Sequence, residues 1–103
     1  MSVSRRFIED QLAQGVDERI AYILDTSNWP GTGDPTSVVV LIKDENNEDA
    51  SGTHLSGSTT VSGDNITTPT VVALVKDTKY RLEVQWVKSG NTLEAYGFIE
   101  ATL

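Results

Sequence analysis

"LVKDTKYRLEVQWVKSGNTLEAYGFIEATL" (residues 74–103) is the stretch that decides the fold. Tyr80, Leu82, Val84 and Trp86 alternate with Arg81, Glu83 and Gln85, a period of two that gives an extended strand one apolar and one polar face. "KSGN" (88–91) is the turn, with Gly90 or Asn91 taking positive φ. On the return strand Leu93, Ala95 and Ile99 share a face, with Gly97 between them, while Tyr96 and Phe98 lie on the other. A final strand that is apolar on both sides calls for cover on its second face, from an N-terminal helix or from another chain.

Upstream of the hairpin the same chemistry recurs in shorter pieces. "SVVVLIK" (37–43) is β-branched and apolar on both faces, the pattern of a central or covered strand. "THL", "TTVSG" and "NITTPTVVALV" read as short Thr- and Val-rich strands between Gly, Asp, Asn and Pro. Pro69 lacks an amide donor and marks an edge position or a strand break. The apolar residues of "VDERIAYILDTSNW" suit a strand (Ile20, Tyr22, Leu24) or a helical turn (Val16, Ile20, Ile23, Leu24), and the β-rich remainder favours the strand.

The N-terminal segment reads differently. Ser4 as cap, Phe7, Ile8 and Leu12 on one side and Gly15 as a left-handed stop predict a short helix, with Arg5, Glu9 and Gln14 opposite. Such a helix is marginal by itself and needs a surface to pack on, in its own domain or on a neighbouring subunit. The expected organisation is a helical arm over residues 1–16 and a single β-sandwich domain over residues 17–103.

Composition narrows the function classes. The 103 residues suffice for one domain with a core of its own. A net charge of −7 repels phosphate backbones, so direct nucleic-acid binding is not expected. With no cysteine there is neither a disulfide framework nor a thiolate metal site. "MSVSRRFIEDQLAQG" has a basic pair but no uninterrupted apolar stretch behind it, which predicts synthesis in the cytoplasm without a signal peptide. The longest apolar run, "VVVLI" (38–42), is too short to cross a bilayer as a helix, and no membrane partner is expected.

Candidate chemistry is sparse. His54 is the one histidine, with no G-x-S-x-G turn to supply a nucleophile, so it reads as a polar strand residue. "DENNED" (44–49) offers alternating carboxylate and amide oxygens suited to Ca²⁺, but an EF-hand needs Gly and Glu where Asp49 and Leu55 stand. A solvated charged loop is the simpler reading, with cation binding by Asp44 to Asp49 left open. "WPGTGDP" contains G-x-G outside any strand–helix unit and is no phosphate cradle. Trp29 in that loop is either a lid on the core or an exposed contact, whereas Trp86 continues an inward face. "NIT" (65–67) matches a glycosylation sequon but means nothing without an export signal. No catalytic, cofactor-binding or metal-ligating residue is assigned, no cofactor is expected, and the chain does not read as an enzyme. Phe7, Leu12 and Trp29 are the candidate contact residues.

"LVKDTKYRLEV" has the form of a tyrosine corner: a leucine, a turn, then a tyrosine opening an alternating strand. Leu74 and Tyr80 then bracket a crossover between sheets, with the Tyr80 hydroxyl bonded to backbone a few residues upstream. This form belongs to immunoglobulin-like and fibronectin type III sandwiches. Together with "ERIAYILDTSNW", "ITTPTVVALVKDTKYRLEV" and "SGNTLEAYGFIEA", the chain resembles small immunoglobulin-like virion or tail-region accessory proteins of tailed bacteriophages and prophages. The matching positions are Tyr22, Asp25, Trp29, Ile66, Leu74, Tyr80, Leu82, Val84, Gly90, Asn91 and Ile99.

The resemblance spans most of the chain from Glu18 onward but excludes the N-terminal helix, and "IEATL" is more polar than the pattern. It implies an immunoglobulin-like β-sandwich acting as a virion structural protein at the head, head–tail junction or tail. Its partners would be other virion proteins in a symmetric multi-copy assembly, with no small-molecule ligand. The rival expectation is a free binding module for carbohydrate or another cell-surface ligand, with Trp29 and Tyr96 or Phe98 as stacking platform.

Overall fold

A computed structural model describes residues 12–102 of the chain. In chain order they form β1 (Leu12–Gly15), β2 (Ile23–Asp25), β3 (Thr36–Lys43), the helical turn α1 (Ser51–His54), β4 (Leu55–Ser56), β5 (Thr60–Ser62), β6 (Asn65–Thr67), β7 (Thr70–Val71), β8 (Lys79–Lys88) and β9 (Asn91–Thr102). The protein is thus mostly β, and its strands pair antiparallel except for β1.

The β8–β9 hairpin organises everything else. Its register sets Tyr80 against Ile99, Leu82 against Gly97, Val84 against Ala95 and Trp86 against Leu93, so large side chains on β8 oppose smaller ones on β9. All eight are buried on the inner face, where each large apolar side chain contributes about 1.5–3 kcal/mol. The two turn residues are Ser89 (φ 52°) and Gly90 (φ 77°), the positive-φ pair that matches strand twist. Ser89 rather than Asn91 partners Gly90, because Asn91 is already the first residue of β9 paired to Lys88.

The main sheet has the order β1-β9-β8-β3. β3 is an edge strand there among the described residues, not the covered strand its composition predicts. Ile42 points inward and is fully buried, Val38 and Val40 are half-buried against the core, and Val39 is 47% exposed on the outer face. A register shift between Thr36 and Val39, with Ser37 at φ 51°, bends the start of this edge.

Leu12–Gly15 is a strand and not the end of a helix: it runs parallel to β9, with Leu12 opposite Ile99 and Gly15 opposite Thr102. The reason is tertiary. The edge of β9 offers backbone partners, and Gln14, polar and expected on a solvent face, is fully buried with its amide satisfied inside the protein. Gly15 does not take positive φ and so is not a left-handed stop. The rest of the predicted helix, from Ser4 through Phe7 and Ile8, lies outside the described residues.

Two smaller sheets, β2-β6-β5 and β4-β7, complete the fold. Their apolar residues join the inner face of the main sheet in two clusters. One contains Leu24 and Ile66 with Val84, Trp86, Leu93 and Ala95. The other contains Val71 and Leu74 with Ile42, Tyr80, Leu82, Ile99 and Ala101. Pro69 separates β6 from β7, as its missing donor requires. Of the ambiguous segment 16–24, Val16 and Asp17 form a turn, Ile20 bridges to Val71, and only Ile23 and Leu24 enter a strand. His54 belongs to the helical turn, and the strand expected over "THL" begins at Leu55.

Candidate functional site

Trp29 is half-buried and packs on the Leu24–Ile66–Trp86 cluster. Its ring meets Trp86 edge to face, with centroids 5.1 Å apart and planes at 80°. Of the two readings open for Trp29, this geometry is that of a lid on the core. Two bonds tie the loop after it to the hairpin turn: Thr32 N–H donates to Ser89 Oγ (2.7 Å), and that hydroxyl donates to Thr32 O (2.9 Å). Gly31 makes the approach possible. Its φ is 105°, and a Cβ there would stand 2.9 Å from the Lys88 carbonyl oxygen. Under the lid, Trp86 Nε1 is buried and has no hydrogen-bond acceptor among the described residues.

Beside the lid lies an ion pair, buried on its lysine side, that the reading of the sequence passed over. Lys88 is 3% exposed, and its ammonium donates to Thr26 O (3.0 Å), Thr26 Oγ1 (3.3 Å) and Asp64 Oδ1 (3.0 Å). All three ammonium protons therefore have acceptors. Thr26 in turn donates through N–H and Oγ1 to Asp64 O. The cluster fastens β8 to the ends of β2 and the β5–β6 turn. The signal was present: Lys88 continues the inward register of Tyr80, Leu82, Val84 and Trp86.

At the other end of the core, the Val75 N–H donates to the Tyr80 hydroxyl at 3.0 Å, five residues upstream of the ring, and Leu74 is buried in the same cluster. His54 stacks edge-on against Tyr80 at 4.8 Å and its Nδ1 lies 3.2 Å from Val72 O, a contact made by the Nδ1–H tautomer. Gln14 closes this end. Its Nε2 donates to Val71 O (2.9 Å) and Glu18 O (3.0 Å), while Tyr22 donates to its Oε1 (2.8 Å). Burial, with Glu18 nearby, pushes the Tyr22 phenol above its ordinary pKa.

The acidic loop turns its oxygens onto its own backbone and onto β8. Asp44 Oδ1 accepts from the N–H groups of Asn46 and Glu48, and Glu45 Oε1 accepts from Lys79 N–H. Arg81 bonds the Asn47 side-chain oxygen. Asp49 accepts from the Ser51 hydroxyl (2.5 Å) and N–H (2.9 Å), which holds its carboxyl below the ordinary range. Asp25 is lowered likewise by the Ser27 N–H. Among the described residues no group of three or more His, Cys, Asp or Glu could hold a metal ion.

The outer face of the main sheet carries Val39, Leu41, Glu83, Gln85, Glu94 and Tyr96 around an open hollow. Tyr96 packs edge-on against Phe98 (5.6 Å), and Lys79 sits over the Phe98 ring. Of the contact residues named from sequence, Trp29 lies at the hairpin-turn end of the core and half-buried Leu12 lies in β1 beside Ile99. They are not brought together, and Phe7 lies outside the described residues. Among the described residues no helix is long and apolar enough to cross a membrane. Comparison with family models, curated proteins and solved structures finds no match.

Proposed function

We propose that this chain is a non-enzymatic structural or accessory protein of a tailed-bacteriophage virion, an immunoglobulin-like sandwich that acts through protein–protein contacts in a multi-copy particle. The observation that carries the reading is the division of labour among its polar groups. The titratable groups inside or beside the core, His54 and the Lys88–Asp64 pair, bond to neighbouring strands and loops. The outer sheet face, by contrast, leaves apolar side chains beside charged ones around an open hollow.

Strand order supports the immunoglobulin-like part. β2-β6-β5 matches the B-E-D order of such a sandwich and β9-β8-β3 its G-F-C order, with Tyr80 opening the F strand as a tyrosine corner does. The role then needs no reacting group: repeated copies on a symmetric particle gain avidity from individually weak contacts.

The experiment is to purify particles on a density gradient from the culture that makes this chain and to search the particle band by mass spectrometry. Stoichiometric recovery supports the reading, and absence from intact particles removes it.

A further inference from the structure

The loop that joins β2 to β3 carries the chain's one Asp–Pro bond: Pro30 follows Trp29, Pro69 follows Thr68, and Pro35 follows Asp34. Pro30 to Asp34 are exposed and outside any strand, while Pro35 is buried where β3 begins. Gly33 turns the chain at φ 86° just before Asp34, and a residue followed by proline is confined to extended backbone. Most of the neighbouring aspartates are engaged. Asp25, Asp44 and Asp49 accept from nearby N–H groups and Asp64 accepts from Lys88. The Asp34 carboxyl has no hydrogen-bond or ion-pair partner among the described residues.

We propose that in acid Asp34 severs its own bond to Pro35, and that the two pieces remain one folded protein. Rotation about χ1 brings a side-chain oxygen against the residue's own carbonyl carbon, and no existing contact of the carboxyl has to break. The protonated carboxyl supplies both reagents: its oxygen adds to the Asp34 carbonyl carbon, and its proton passes to the Pro35 nitrogen. The C–N bond breaks, Pro35 leaves as a secondary amine, and a cyclic anhydride closes on Asp34. One water then opens the anhydride to two carboxyls, so the net change is one water added across the bond. Nucleophile and carbonyl belong to one residue, which is catalysis by proximity. The cut leaves the fold's joints in place. The N-terminal piece keeps β1 on β9, β2 on β6, and Leu24 and Trp29 in the core. Both new ends are fastened to the β8–β9 hairpin, Thr32 through Ser89 and Thr36 opposite Val87.

The inference concerns the purified chain and does not depend on the particle reading. The test is prolonged warm incubation of the full 103-residue chain at pH about 3, below the ordinary aspartate value of about 3.9, followed by denaturing mass spectrometry. Two products are expected, residues 1–34 and 35–103, whose masses add up to the parent plus one water. Asp34→Asn removes the acid and slows the cut at least about tenfold. Asp34 is exposed, so this variant keeps the parent's thermal melt. Returned to neutral pH, the cut protein is expected to elute in gel filtration as one peak at the parent's volume and to part into two only in urea. A chain left whole at Asp34–Pro35 overturns the proposal, as does a cut whose rate is indifferent to Asp34→Asn. Pieces that elute apart at neutral pH overturn its second half.

Discussion

Lys88 Nζ lies 3.0 Å from Asp64 Oδ1, joining the last residue of β8 to a turn 24 residues earlier. The Lys88 side chain is 2% exposed while the Asp64 side chain is 45% exposed, so the pair is buried on one side only. Charge burial is tolerated here because two oxygens of Thr26 complete the ammonium's shell.

Replacing Lys88 by Met keeps much of its volume but removes three hydrogen bonds. Water can reach Asp64 but not the Thr26 side, so the expected loss is about 2–3 kcal/mol, less than for a fully buried pair. Asp64→Asn keeps an acceptor and is expected to cost less, about 1 kcal/mol. Urea unfolding of the two variants checks the order; a neutral Lys88→Met would show that apolar packing can replace the cluster.

Tyr80→Phe removes the acceptor of the Val75 N–H and leaves the ring in place. A destabilisation of about 1–1.5 kcal/mol is expected. Chemical denaturation measures it, and a change below about 0.3 kcal/mol would mean that water replaces the hydroxyl without penalty.

The Trp29 lid depends on Gly31. Gly31→Ala forces a side chain into positive φ and against the Lys88 carbonyl, with an expected cost of about 2 kcal/mol or more. Trp29→Ala is expected to red-shift the emission of Trp86 as water reaches it. Unchanged Trp86 emission would refute the lid.

Stability should change at both ends of the pH range. Asp49 and Asp25 have folded pKa values below the ordinary 3.8, so the stability they contribute is present above that value and is lost as pH falls through the depressed ones. Asp49→Asn should flatten the acid limb of a melting-temperature profile. Tyr22 has a folded pKa above 10.0, so its contribution is present below pH 10 and fades as pH rises through the raised value. Tyr22→Phe should remove that alkaline loss; profiles unchanged in both variants would show these groups uncoupled from folding.

By itself, the sequence determined what alternation and turn chemistry can carry. The β8–β9 hairpin, the inward set from Tyr80 to Trp86, the break at Pro69 and the Leu74–Tyr80 spacing were all legible, because a period of two and a missing amide act within a few residues. Tertiary structure decided the rest. Whether Leu12–Gly15 coils or extends depends on the edge of β9, almost the whole chain away, and on acceptors for the Gln14 amide at Val71 and Glu18. "VVVLI" is apolar on both sides whether its strand lies at the centre or the edge of a sheet, so its place beside β8 alone among the described residues was not written in its composition. Lys88 reads as a solvent lysine until Thr26 and Asp64 close around it. The physical reason is common to all three: local pattern sets which way a side chain points, whereas the partner that makes the position stable arrives from a distant segment of the chain.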